Sequence, residues 1–194
     1  MKKVLLGLFC AMSLFANAQS AGGLPVKNWE WELKFGGTLP LSGGEYSKAQ
    51  LGPALGAEVR YNLEDSPLSL GAKIDVTVAR KDISEPSLVN MPKQPEETLE
   101  MGYRTFNFSV LGDYNFRQGR NVNPFVGVGL GIGMQHECED AVYDNDGHAA
   151  LAFTPRVGVE LFRHVRIACT ATITKKDYSN IAFTLGYVFG GGKR

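Results

Sequence analysis

Five consecutive residues with metal-ligating side chains, His136-Glu137-Cys138-Glu139-Asp140, make the densest knot of donor groups in the chain. Asp144-Asn145-Asp146-Gly147 follows closely, with the carboxylate and amide oxygens that calcium takes. That second run has neither the ligand spacing nor the closing glutamate of an EF-hand, and Asn-Asp-Gly is first of all a turn sequence. Neither run is assigned as a metal site. A different kind of chemistry is suggested by charges that recur at every second residue: Glu30, Glu32 and Lys34; Glu58 and Arg60; Lys73 and Asp75. Asp113, Arg156, Glu160 and Arg166 stand in similar surroundings, which brings the set to five bases and six acids. A spacing of two places such charges on one face of a β-strand.

The elements that would carry them are visible as alternating segments. From Val126 to Met134 every second residue is apolar and the residues between are Gly127, Gly129, Gly131 and Gly133. Phe125, at the start of the run, breaks the glycine pattern. Glycine weakens a strand unless something needs the space, and the narrow interior of a small closed barrel does. Around this stretch, Pro124–Met134, seven more segments alternate: Trp29–Leu39, Pro53–Leu63, Leu68–Val78, Phe106–Phe116, Leu151–Leu161, Val165–Ile173 and Ile181–Phe189. The apolar faces of these segments hold no charged residue, and the opposite faces hold all eleven charges named above. A charge facing lipid at mid-depth costs roughly 2–4 kcal/mol, so a clean face is what a bilayer would enforce.

Connections between the segments alternate as well. Glu64–Pro67, Arg117–Asn123 and Phe162–His164 are short, whereas Thr38–Gly52, Ala79–Thr105, Gln135–Ala150 and Thr174–Asn180 are mostly longer and polar. Short turns on one side and long loops on the other are expected of an outer-membrane barrel, with the turns in the periplasm. Trp29, Trp31, Tyr61, Tyr114, Phe116, Phe162, Tyr187 and Phe189 then collect at the short-turn end as an interfacial girdle, and Phe106, Phe153 and Phe183 lie nearer the other rim.

The N-terminus reads as a secretory signal: Lys2 and Lys3, an apolar run from Val4 to Phe15, and a small-residue cleavage site at Ala16-Asn17-Ala18. The expected organisation is a cleaved leader over 1–18, a lead-in over 19–28, a barrel over 29–189 and a tail over 190–194. Loss of Lys2 and Lys3 leaves 18 basic and 20 acidic residues, which makes no electrostatic case for nucleic acid. After the leader no apolar run reaches the roughly 18 residues of a helical span. Cys138 and Cys169 fall at different heights and are expected to stay unpaired.

Alternation alone fits an inverted arrangement too, a secreted lipocalin with its apolar face inside around a small ligand. The polar faces of the fifth, seventh and eighth segments decide against it. They are mostly Gly, Ala and Thr, with only Arg166 charged, which suits a crowded interior better than a wet surface.

The glycine-alternating fifth segment and the closing Phe183-Thr184-Leu185-Gly186-Tyr187-Val188-Phe189 resemble the small eight-stranded outer-membrane barrels of Gram-negative bacteria, of the outer-membrane protein A transmembrane-domain and outer-membrane protein X type. The resemblance implies an eight-stranded antiparallel up-and-down transmembrane β-barrel with short periplasmic turns and longer extracellular loops. It also implies a final strand ending in aromatic-x-Phe, matched by Tyr187 and Phe189 and read by the barrel-assembly machinery; here Gly190 to Arg194 follow it. Some small barrels of this kind deacylate or acylate lipid A. The deacylase type has a His-x-Ser pair, which His136-Glu137-Cys138, His148-Ala149-Ala150 and His164-Val165-Arg166 all lack. The acyltransferase type uses His, Asp and Ser near the outer face; His148, Asp82, Ser84 and Ser87 supply the types, but geometry rather than inventory makes a site.

The expectation is therefore a monomeric integral outer-membrane barrel. Its partners are membrane lipid and lipopolysaccharide, with a surface partner reached through the loops and no nucleic acid. The inward charges close the lumen as a balanced network rather than forming an ion path. No catalytic, cofactor-binding or metal residue is assigned. Left open are a lipid A-modifying activity, a cation bridging the His136–Asp140 loop to lipopolysaccharide, and a partner for the loop Arg80–Glu100, which holds Pro86, Pro92, Pro95 and the acidic Asp82, Glu85, Glu96, Glu97 and Glu100.

Overall fold

The computed structural model describes residues 26–41, 47–83, 99–139, 142–143, 148–174 and 178–190. The leader, its cleavage site, Ser84, Ser87 and the Asp144–Gly147 run lie outside them. The described strands are β1 (Trp29–Pro40), β2 (Ser47–Gln50), β3 (Gly52–Asn62), β4 (Leu68–Ile83), β5 (Leu99–Asn115) and β6 (Val122–Glu139). They continue with β7 (Val142–Tyr143), β8 (His148–Phe153), β9 (Arg156–Leu161), β10 (Val165–Thr172) and β11 (Asn180–Phe189).

With β2 and β3 taken as one stave and β8 and β9 as another, each stave pairs antiparallel with the next, and β11 returns to β1, so the sheet closes on itself. Two of the eight staves are broken. β8 and β9 are one stave interrupted at Pro155, which has no N–H to give; the register on β6 runs through the break unchanged. β2 and β3 form another, separated at Leu51. There Gln50 pairs with Arg80 and Ala54 with Thr77, so this side holds one residue more than β4 does, a β-bulge.

Following the register once round the ring carries Trp31 through Val59, Ala72, Val110, Leu130, Phe153 and Ile173 to a level ten residues up β1. Eight strands with that stagger tilt about 40° from the axis and leave roughly 8 Å between axis and backbone, space for side chains only.

The expected faces are present. Leu33, Phe35, Leu55, Ile74, Phe108, Val110, Val128, Leu130 and Ile132 are exposed, each about half or more, while the charges between them are buried. That orientation excludes the lipocalin inversion. The girdle also forms: Trp29 packs edge-on to Tyr61 (5.1 Å), Tyr114 to Phe116 (5.1 Å) and Tyr187 to Phe189 (4.8 Å). Cys169 is a free, half-buried thiol.

Strand ends on the loop side depart from expectation. β4 runs to Ile83 instead of Val78, β5 starts at Leu99 instead of Phe106, and β6 reaches Glu139 instead of Met134. Alternation reports a strand only while lipid forbids charge on one face. Above the bilayer that constraint lapses, yet ladder hydrogen bonds continue, with Arg80 opposite Gly102 and Arg104 opposite His136.

Candidate functional site

The lumen holds a continuous charge network in its periplasmic half. Arg60 on β3 takes Glu32 at 2.7 Å, Glu30 at 3.2 Å and Glu58 at 3.3 Å, with Glu160 at 3.7 Å. Arg156 on β9 grips both carboxylate oxygens of Glu58, at 2.6 and 2.7 Å, while its Nε donates to Asp113 at 2.8 Å. Arg166 reaches the same Asp113 at 2.8 Å and lies 3.9 Å from Glu32, and Lys34 binds Glu58 at 3.3 Å. Lys73 and Asp75 pair separately at 2.8 Å. All eleven inward charges foreseen from sequence are thus ion-paired.

Planar guanidinium forks suit such bidentate work. Removal of one partner from a buried pair leaves the other charge uncompensated, at a cost of about 3–5 kcal/mol.

Small residues make the room. A Cβ at Gly127 would meet the Asp113 carboxylate, and one at Gly158 would sit 2.6 Å from the Phe125 ring. Phe125, the exception in its glycine run, is the aromatic piece of the network. Its ring is buried, with the Arg166 guanidinium 3.6 Å from its centroid and Arg156 at 5.7 Å. Nothing in the sequence assigned it that role; the one signal was a large residue at an inward position of an otherwise glycine face.

Below the charges a polar ladder plugs the periplasmic end. Ser69 donates to Asn62 (2.8 Å), Asn115 to Ser69 (2.6 Å) and Asn123 to Asn115 (3.2 Å). Above them the lumen is polar but uncharged: Thr38, Thr77, Thr105, Asn107, Gln135, Thr154, Thr172 and Asn180 are all buried.

The sequence-derived chemical candidates do not converge. His136 to Glu139 are strand backbone paired with residues 101–104, not the loop expected. Among the described residues no group of three or more His, Cys, Asp or Glu is placed to hold a metal. Asp82 sits on β4 and His148 on β8, with β5 and β6 between them, three strand spacings or about 14 Å of sheet. His164 lies in a periplasmic turn, where its Nδ1 is 3.1 Å from the Val188 carbonyl and its ring stacks on Tyr187.

The family described as outer membrane protein beta-barrel domain matches residues 4–189. The chain belongs to that family. It is accordingly an integral protein of the bacterial outer membrane, one of the small barrels of the Gram-negative envelope. Among solved structures this outer-membrane barrel is similar to Neisserial surface protein A, at 10% identity and a TM-score of 0.53 over 84% of this chain and 97% of that one. It also matches Ail, the attachment invasion locus protein of Yersinia pestis, solved with the heparin analogue sucrose octasulfate, at 11% identity and a TM-score of 0.45 over 84% of this chain and 100% of that one. The N-terminal barrel of Pseudomonas aeruginosa OprF matches at 11% identity and a TM-score of 0.45 over 84% and 98%. At these identities the likeness concerns the fold.

Proposed function

We propose that this outer-membrane barrel acts at the cell surface through its outer rim, as a structural or surface-interaction protein, with the lumen shut and no catalysis. The observation that carries this reading is the length of three consecutive strands. β4, β5 and β6 have 16, 17 and 18 residues, whereas a tilted transmembrane strand needs only about 9–11. The surplus is a hydrogen-bonded wall standing roughly 15–20 Å above the lipid. Its backbone is ordered by pairing, a better support for recognition than free loops.

Two further points support the same reading. Each lumen charge is neutralised by another, which leaves none aimed at a passing ion. The His, Asp and Ser types of an acyltransferase are spread over separate staves or fall outside the described residues.

The test has two parts. Lipid A from cells making the protein should keep an unchanged acyl pattern by mass spectrometry, and purified barrel in a planar bilayer should show no sustained conductance; a change in either defeats the reading. Cells carrying a barrel trimmed of residues 81–101, closed by a two-residue turn, should keep the heat-dependent gel shift of a folded barrel. Intact protein should raise the adhesion of the cells that make it, and the trimmed form should lose that gain. Equal adhesion by both forms would remove the wall from consideration.

A further inference from the structure

The arginines of this protein fall into two populations. Arg60, Arg156 and Arg166 are in the lumen, each facing at least two carboxylates. Arg117, Arg120 and Arg163 are in the periplasmic turns, and none of them is ion-paired with a described residue. These three line one cleft of about 370 Å³ together with Asn121 and Val122, and no acidic residue lines it.

The cleft is held in shape by two hydrogen bonds between turns. The Phe162 N–H donates to the Asn121 carbonyl at 2.6 Å, and the Arg163 Nε donates to the Gly119 carbonyl at 2.8 Å. The β9–β10 turn is itself unusual. Phe162 (φ 53°) and Arg163 (φ 64°) are both left-handed, a tight-turn conformation that normally selects Asn-Gly. Side chains other than those two types cost stability there. What the costly choice secures is a phenylalanine exposed to lipid beside an arginine clamped over the neighbouring turn.

Depth identifies the anion. Exposed Val122 lines the cleft, and the girdle residue Phe116 and the exposed Phe162 immediately precede Arg117 and Arg163 in the chain, which puts the arginines at headgroup level on the periplasmic leaflet. Guanidinium forks match phosphate oxygens bidentately. A headgroup with its own ammonium would bring a positive charge against three others, so a net-negative phosphate is favoured.

We propose that the cleft between the second and third periplasmic turns binds a net-negative phosphate group, supplied by an anionic phospholipid of the inner leaflet or by free phosphate. The test uses the full folded chain in dodecyl maltoside, with bound species read by native mass spectrometry against dioleoylphosphatidylglycerol, dioleoylphosphatidylethanolamine and inorganic phosphate. Phosphatidylglycerol should be retained about fivefold over phosphatidylethanolamine. Arg117→Ala with Arg120→Ala, both at exposed positions, should abolish the preference and leave the heat-dependent gel shift intact. Arg117→Lys with Arg120→Lys, which keeps charge without the fork, should retain part of it. Retention of phosphate without a lipid preference assigns the site to the free anion. Equal retention of both lipids with no phosphate bound, or a preference that survives the alanine pair, overturns the proposal.

Discussion

The two halves of the lumen solve the same packing problem with different chemistry. The periplasmic half is filled by long charged side chains that pair with one another around Glu58, Asp113 and three arginines, where the Arg166 Nε is a buried donor without a hydrogen-bond partner. The outer half is filled by threonine, alanine and amides, and there the Asn107 Nδ2, Gln135 Oε1, Thr154 Oγ1 and Asn180 Oδ1 atoms are buried without a protein partner. A charge in a dry lumen must be paired wherever it sits, so the charges cluster in one region and depend on each other. Neutral polar groups tolerate a bridging water, so the outer half can stay loosely coupled. Stability should therefore be concentrated near the periplasm and the outer half should tolerate change.

Substitutions can break that contrast or sharpen it. Glu58→Ala leaves Lys34 without its ion partner and takes one carboxylate each from Arg60 and Arg156, and should cost about 3–5 kcal/mol, read as a lower urea midpoint for refolding into vesicles, with Trp29 and Trp31 as lipid-facing fluorophores. Arg156→Ala added to it should cost less than the sum of the single changes, with a coupling of about 0.5–3 kcal/mol in a double-mutant cycle. Additive losses would mean that the Glu58–Arg156 contact carries no coupling energy. Gly158→Val sets a Cβ against the Ile167 backbone carbonyl and the Phe125 ring and should cost about 1–3 kcal/mol by the same assay. Asn107→Ala, in the outer half, removes a 3.1 Å bond from Ser109 together with an unpartnered amide and should change stability by less than about 1 kcal/mol. A loss there as large as that of Glu58→Ala would erase the distinction between the halves.

How much was legible in the sequence follows from how strictly each environment constrains it. Lipid tolerates no charge, so the strand faces, the inward set from Glu30 to Arg166 and the girdle were all readable and stand in the structure. Above the membrane the constraint is gone. The wall from Ala79 to Ile83 and Leu99 to Thr105 read as loop, and His136–Glu139 read as a ligand-bearing loop rather than strand. Pairing partners inside the lumen were not readable at all. Alternation says that Glu58 points inward, but only the ten-residue stagger brings it to Arg156, 98 positions away. The arginine cleft escaped for the same reason, because Arg120 and Arg163 meet through two turns that register brings side by side.

Ring closure carries a consequence in time. The seam that completes the barrel joins Trp31 to Phe189, the first stave to the last. Until that final stave has been synthesised and delivered, every earlier hairpin has an open edge and an apolar face with no lipid to cover it. Seam contacts spanning most of the chain length are also slow to form unaided. The molecule therefore has no useful half-folded form. It must travel to the membrane unfolded, and its last ten residues of strand decide when the other seven staves become a structure.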